Sequence, residues 1–328
     1  MNRSAISPRR ALLPLTLLAL AAMAPAVARA QLSSHGYFRI SEQGTGSELQ
    51  LELSDTRDND RGRHGSSSSF SVTPRELAGL SRSQLDGSDG TKLHFTLTRE
   101  AGVFTFDGQV SGGEGSGEYS FAPDPRFADA LVARGYPRPG EYEQLRLALG
   151  DVALATVDEL KKDGYRQPSL AELARMAFHG VDIDYIRDMR ASGYALGDVP
   201  TLTRFRDHGV DPEYVAELKK AGYPDLAPEV LVHFRDHGVD GDYIGDLAAQ
   251  GYDHESSDAV LRARDHGVTG SFINGLREAG YTNLTLPELV RLHDHGVTAS
   301  FARRMHDKRG VLLSAEDLVY ARDHGVDR

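Results

Sequence analysis

Apolar and polar residues alternate from Ser34 to about Phe121. That period of two puts one set of side chains on each face of a strand. It predicts short strands over 36–40, 48–53, 68–72, 92–98, 102–110 and 117–121. The alternation of 103–107 and 118–121 flanks a glycine-rich run, 111–117, which reads as a hairpin turn. A short helix is expected over 74–80, with Thr73 as N-cap and Pro74 in its first turn. The expected N-terminal unit, 31–122, is an antiparallel sheet of about six strands, curled or sandwiched, with 55–69 as a polar loop.

From Phe127 onward the period lengthens and a repeat emerges. His-Gly-Val occurs at 179–181, 208–210, 237–239, 266–268, 295–297 and 324–326, each copy 29 residues after the last. Gly-Tyr recurs at the same interval from 135–136 to 280–281. An aromatic column runs Phe127, Tyr185, Tyr214, Tyr243, Phe272 and Phe301, interrupted by Thr156. Leu131, Leu160, Met189, Leu218, Leu247, Leu276 and Met305 form a second apolar column.

The local physics of one unit is legible between Gly209 and His237. Asp211 caps a helix with Pro212 in its first turn, and Val210, Tyr214, Val215 and Leu218 share one face. Gly222 stops that helix, and a second helix over about 228–236 carries Leu231 and Phe234 inward. Ser169 with Glu172, and Thr285 with Glu288, have capping-box spacing at equivalent starts. Gly180, Gly209, Gly238, Gly267, Gly296 and Gly325 stand where such a second helix must end. A single hairpin cannot bury its apolar face, so neighbours must stack. The expected fold is α+β with its parts segregated: an antiparallel β domain, then an α-hairpin solenoid of about seven 29-residue units over 123–328.

Composition narrows the chemistry. The 328 residues include no cysteine, which excludes disulfides, thiolate metal sites and cysteine nucleophiles. Residues 1–30 have the three parts of a secretory signal: basic Arg3, Arg9 and Arg10, an apolar run, and Ala28-Arg29-Ala30 before a cleavage point. A periplasmic or secreted protein is therefore expected, with no integral membrane segment after cleavage. The net charge is −11, and losing a leader that holds four arginines and no acid makes it more negative. Nucleic acid and anionic lipid are poor partners for such a chain.

The Asp-His-Gly-Val signature invites a metal reading, with His208, His237, His266 and His295 as its candidate ligands. Ligands of one ion must converge, whereas these residues lie one hairpin layer apart. Each His instead falls in a last helical turn, beside free carbonyls and a favourable dipole. The structural reading is favoured, with the preceding Asp or an Arg bonding across to the next unit. Arg204, Arg206, Arg235, Arg262, Arg264 and Arg322 form a basic stripe, read as a solvated face with ion pairs and, less directly, as a surface for an acidic partner. No His-Glu-x-x-His, Gly-x-Ser-x-Gly or phosphate loop occurs. Asp58-Asn59-Asp60 resembles the start of a calcium loop, but Gly62 takes a ligand position. No catalytic residue and no cofactor is assigned. The last second helix has no successor, which suggests that Val319 and Tyr320 are partly bare and favour self-association.

The repeat, Gly-Val-x-x-x-Phe/Tyr-Val/Ile-x-x-Leu-x-x-x-Gly-Tyr with Leu-x-x-x-x-Leu-Val-x-Leu-x-x-His-Gly-Val, resembles one in the extracytoplasmic tails of antirepressor membrane metallopeptidases of the beta-lactam-sensor (BlaR/MecR) type and in small exported proteins. Arg99-x-Ala-Gly-x-Phe-x-Phe-x-Gly108 and Gly115-x-Gly-x-Tyr-x-Phe-x-Pro123 resemble the segment that precedes it there. The peptidase helices and zinc motif of that family have no counterpart in this sequence, so proteolysis does not carry over. The resemblance implies an envelope sensing or interaction module that binds a protein or peptide. The alternative is a periplasmic metal- or small-ligand-binding sensor using the repeated signature.

Overall fold

A computed structural model of the chain describes residues 32–43, 48–55 and 66–326. The expected signal peptide and the acidic run 58–60 lie outside the described residues. Alternation produces strands β1 (His35–Gln43), β2 (Glu48–Ser54), β3 (Ser67–Val72), β4 (Leu77–Ala78), β5 (Lys92–Arg99), β6 (Gly102–Ser111) and β7 (Glu114–Pro123). They form one antiparallel sheet in the order β3-β2-β1-β7-β6-β5-β4. Two meanders thus meet where β1 pairs with β7, Phe38 opposite Gly117. The sheet buries one face: Ile40, Leu51, Phe95, Phe104 and Phe106 are wholly inaccessible. Phe95 stacks on Phe106 with centroids 4.6 Å apart, and Phe38 meets both rings edge-on. Aromatic pairs in these stacked and edge-on geometries stabilise a core beyond the area they bury.

Two expectations about this part are corrected. The helix expected over 74–80 is one 3₁₀ turn, Pro74–Glu76. The Thr73 amide donates to Glu76 Oε2 at 2.7 Å as a cap should, but Leu77 then turns extended to pair with Leu97 and enter the core. Sheet pairing plus burial outweighs one further helical turn. The second correction concerns the glycine-rich run. Gly112 and Gly113 alone make the turn, with φ of 62° and 82°, which suits a two-residue hairpin. Gly115 and Gly117 belong to β7; a Cβ on Gly115 would lie 2.6 Å from Leu93 and 2.7 Å from Ile40. Glycine there permits close approach inside the sheet rather than a bend.

Helix α1 (Arg82–Leu85) belongs to the sheet region, and the rest of the chain is helical. Its helices are α2 (Pro125–Ala133), α3 (Glu141–Leu149), α4 (Leu154–Lys162), α5 (Leu170–Phe178), α6 (Ile183–Ala191), α7 (Val199–Asp207), α8 (Pro212–Lys220), α9 (Pro228–Asp236), α10 (Gly241–Ala249), α11 (Ser257–Asp265), α12 (Gly270–Glu278), α13 (Leu286–Asp294), α14 (Ala299–Arg309) and α15 (Ala315–Asp323). The even-numbered helices from α2 to α14 pack each on the next. Among the odd-numbered ones, α3 packs on α5, α5 on α7, α9 on α11, α11 on α13 and α13 on α15. Tyr185, Tyr214, Tyr243, Phe301 and the Leu/Met column are buried between the two rows, whereas Phe272 is half-buried. No helix among the described residues is long and apolar enough to cross a membrane.

The helical part starts directly on the sheet. Asp124 caps α2 through the Arg126 amide at 2.8 Å, and its own amide donates to the Ala101 carbonyl. Buried Gln144 of α3 donates from Nε2 to the carbonyls of Ala101 and Asp124, both at 2.7 Å. At the far end Val319 is buried and Tyr320 is 60% exposed, its ring stacked on His324. Of the two residues expected to be bare, only Tyr320 is.

Candidate functional site

The Asp-His-Gly-Val signature occupies the joint between one helical pair and the next. At the end of α7, His208 is the last residue with near-helical dihedrals and Gly209 has φ +69°. The Gly209 amide donates to the Arg206 carbonyl at 3.1 Å and the Val210 amide to the Phe205 carbonyl at 2.8 Å. This paired pattern closes a helix when the residue after the cap is left-handed, a conformation that favours glycine. Val210 is fully buried, which pins the joint to the core. Asp211 then accepts the Tyr214 amide at 2.8 Å and starts α8. Gly180, Gly238, Gly267, Gly296 and Gly325 have the same positive φ. Asp240 repeats the cap, and Thr269 and Thr298 replace it with a hydroxyl.

Each candidate histidine bonds to the next helical pair. Nδ1 of His208 pairs with Asp236 Oδ1 at 2.6 Å, of His237 with Asp265 at 2.5 Å, of His266 with Asp294 at 2.8 Å and of His295 with Asp323 at 3.0 Å. His179 pairs with Asp207 in the same way. The carboxylate accepts, so each ring donates from Nδ1. The signature therefore interlocks: its Asp serves the preceding His, and its His reaches forward to the following Asp. These rungs lie at a half-exposed edge, where one pair contributes little by itself. Among the described residues no three His, Asp or Glu side chains gather as the ligands of a metal ion would.

The tyrosines complete the joint. Tyr185, Tyr214 and Tyr243 donate their hydroxyls to the carbonyls of Val210, Val239 and Val268, at 2.6, 2.6 and 3.0 Å. Burial pushes the pKa of all three phenols up, Tyr243 to about 12. Arg206, Arg235 and Arg264 lie over these rings at 5.0, 4.8 and 4.7 Å, and Arg322 lies 5.4 Å over Phe301. Phe272, which has no hydroxyl, meets His293 edge-on instead. Where Thr156 breaks the aromatic column, Ala177 stands in the arginine register, so ring and cation are absent together.

The basic stripe thus divides. Arg206, Arg235, Arg264 and Arg322 are seated on rings, and Arg204 pairs with Glu229 of the following pair. Arg262 and Arg175 stay exposed, with His233 and Arg291 in the same register. Arg175, His233 and Arg291 were missed at the sequence level; aligning the second helices at the repeat interval reveals that column. On the opposite row, Asp184, Asp188, Glu213, Glu217, Asp242 and Asp246 expose an acidic face.

A further inter-helix ion network has consequences for acid stability. Glu159 of α4 accepts from Arg187 Nη2 at 3.0 Å and Lys162 Nζ at 2.7 Å, and these bonds pull its pKa down to about 2 from 4.5. A depressed carboxyl stabilises the fold above its unfolded pKa and loses that contribution as pH falls through the folded value. Between pH 4.5 and 2 the thermal midpoint of Glu159→Gln should therefore fall less steeply than that of the wild-type chain. Equal slopes in a pH series of melts would remove Glu159 from the account.

No family model matches the chain, and no curated protein does.

Proposed function

We propose that the chain is a non-enzymatic, exported interaction protein. In this reading the helical part is a solenoid of 29-residue hairpins, and its extended surface binds another protein in the cell envelope. One observation carries it: the repeated Asp, His, Tyr and Arg side chains are engaged in joining successive helical pairs. Ordered columns of exposed charge remain on both rows, and extended surfaces of that kind suit a protein or peptide partner. The step from scaffold to binder is an argument from fold, supported by the resemblance to the extracytoplasmic tails of antirepressor peptidases. An envelope sensing or regulatory role follows from that resemblance.

The test is capture from envelope extract with the mature chain, 31–328, as bait and a heat-unfolded sample as control. The whole chain is needed because α3 shares buried hydrogen bonds with the sheet. A discrete protein retained by the folded bait alone is the expected result; identical retention by both baits would remove the reading.

A second reading, metal or small-ligand sensing along the histidine edge, has one observation in its favour. A carboxylate holding Nδ1 orients a histidine whose Nε2 then faces a ligand, as in many metal sites. Under the interaction reading, zinc, nickel and calcium leave the thermal midpoint unchanged. A rise that disappears when His208, His237 and His266 become alanine would favour the sensor instead.

A further inference from the structure

Beside the buried Gln144 bonds, a small set of charged groups gathers around the β5–β6 turn where the sheet meets the first helical pair. Arg99 ends β5, and its side chain is only 12% exposed. Its Nη1 donates to Glu76 Oε1 at 2.7 Å and lies 3.3 Å from Asp151 Oδ2. Glu76 closes the 3₁₀ turn before β4, and Asp151 follows α3 by two residues. Beside them, Glu100 Oε2 accepts the amide of Leu154, the first residue of α4, at 2.9 Å. One short turn of the sheet is thereby tied to the 3₁₀ turn through Glu76, to the segment after α3 through Asp151 and to the first amide of α4.

Asp151 is the informative residue. It occupies the register that glycine fills in the later hairpins, at Gly180, Gly209, Gly238, Gly267, Gly296 and Gly325. Its φ is +52°, and it is the one non-glycine residue with a positive φ among the described residues. An L-residue is strained in that conformation, which glycine adopts freely. The chain keeps this strained residue at the single joint where the glycine register faces the sheet. A strained backbone persists where its surroundings hold it and where the side chain serves a purpose. Here that side chain reaches Arg99.

We propose that Glu76, Arg99 and Asp151 form an ionic clamp that locks the sheet to the first helical pair, so that the helical array leaves the sheet at one fixed angle. Connected domains move against each other by default unless their interface restrains them. The clamp adds an ionic restraint beside the packing of α3 against β6 and β7. The clamp acts whatever the array binds.

The chain has no cysteine, so two can be introduced without a background signal. Nitroxide labels at Ser88→Cys in the sheet region and Lys220→Cys at the end of α8 report the inter-domain distance by double electron–electron resonance. With the clamp intact, one narrow distance distribution is expected. Asp151→Gly restores the glycine of the repeat and removes the strain, so it gives no backbone reason for misfolding. It should nevertheless broaden the distribution about twofold while the helical melting midpoint stays unchanged or rises. Asp151→Asn, which tolerates the left-handed conformation and keeps an oxygen beside Arg99 but loses the charge, should give an intermediate width. Equal widths for the wild-type chain and Asp151→Gly would overturn the clamp, as would a broad distribution in the wild-type chain.

Discussion

Replacing Phe234 with alanine is expected to destabilise the helical part by about 3–5 kcal/mol, the usual cost of emptying an aromatic site in a packed core. Phe234 is completely buried in α9, with its ring 6.0 Å from that of Tyr223. Neither neighbouring pair can refill the space, because each is tied by its own Tyr-to-carbonyl and His-to-Asp bonds. The loss falls near the middle of the row. An array held by nearest-neighbour contacts should then part there, and its urea unfolding should split from one transition into two. Far-UV circular dichroism of the wild-type chain and Phe234→Ala measures both effects. A single transition displaced by less than about 1 kcal/mol would show that the helices are not coupled through these cores.

Gly238→Val is the second large effect. Gly238 has φ +69°, and valine is a β-branched residue that strongly avoids this region. The new Cβ would also stand 3.3 Å from Arg264 Nη2, which covers the joint. Together these should cost about 2 kcal/mol or more, read as a lowered urea midpoint. Gly238→Asn should cost roughly half as much, since asparagine enters the left-handed region more readily. Equal losses for the two variants would mean that side-chain size at the joint, rather than its backbone conformation, sets the penalty.

Much of this architecture could be read from the sequence, for identifiable reasons. Period-two alternation located six of the strands because one face of the sheet is buried while the other is wet. β4 escaped: two residues carry no periodicity, and Leu77 looks as helical as it looks extended until Leu97 is found opposite. Spacing identified the joints because left-handed glycines and Asp caps are local chemistry. The partners of the histidines were only partly legible. A bond from each His to the next unit's Asp joins residues 28 apart, and only packing reveals it. Arg206, Arg235 and Arg264 were read as solvated for the same reason: the rings beneath them lie in another helix. The break that Asp151 makes in the glycine register went unread, and its meaning depends on Arg99 in the sheet.

In the reading proposed above, the repeated signature joins the helical pairs and leaves the array surface to a partner. Site-specific photo-crosslinking in the cells that make the protein tests this most directly. A photo-reactive phenylalanine analogue would replace Arg175 or Arg262 on the second-helix row, and Glu213 or Asp242 on the first-helix row. One discrete adduct of the same mass is expected from both positions of at least one row. The absence of an adduct from all four positions of a folded, exported chain would contradict it.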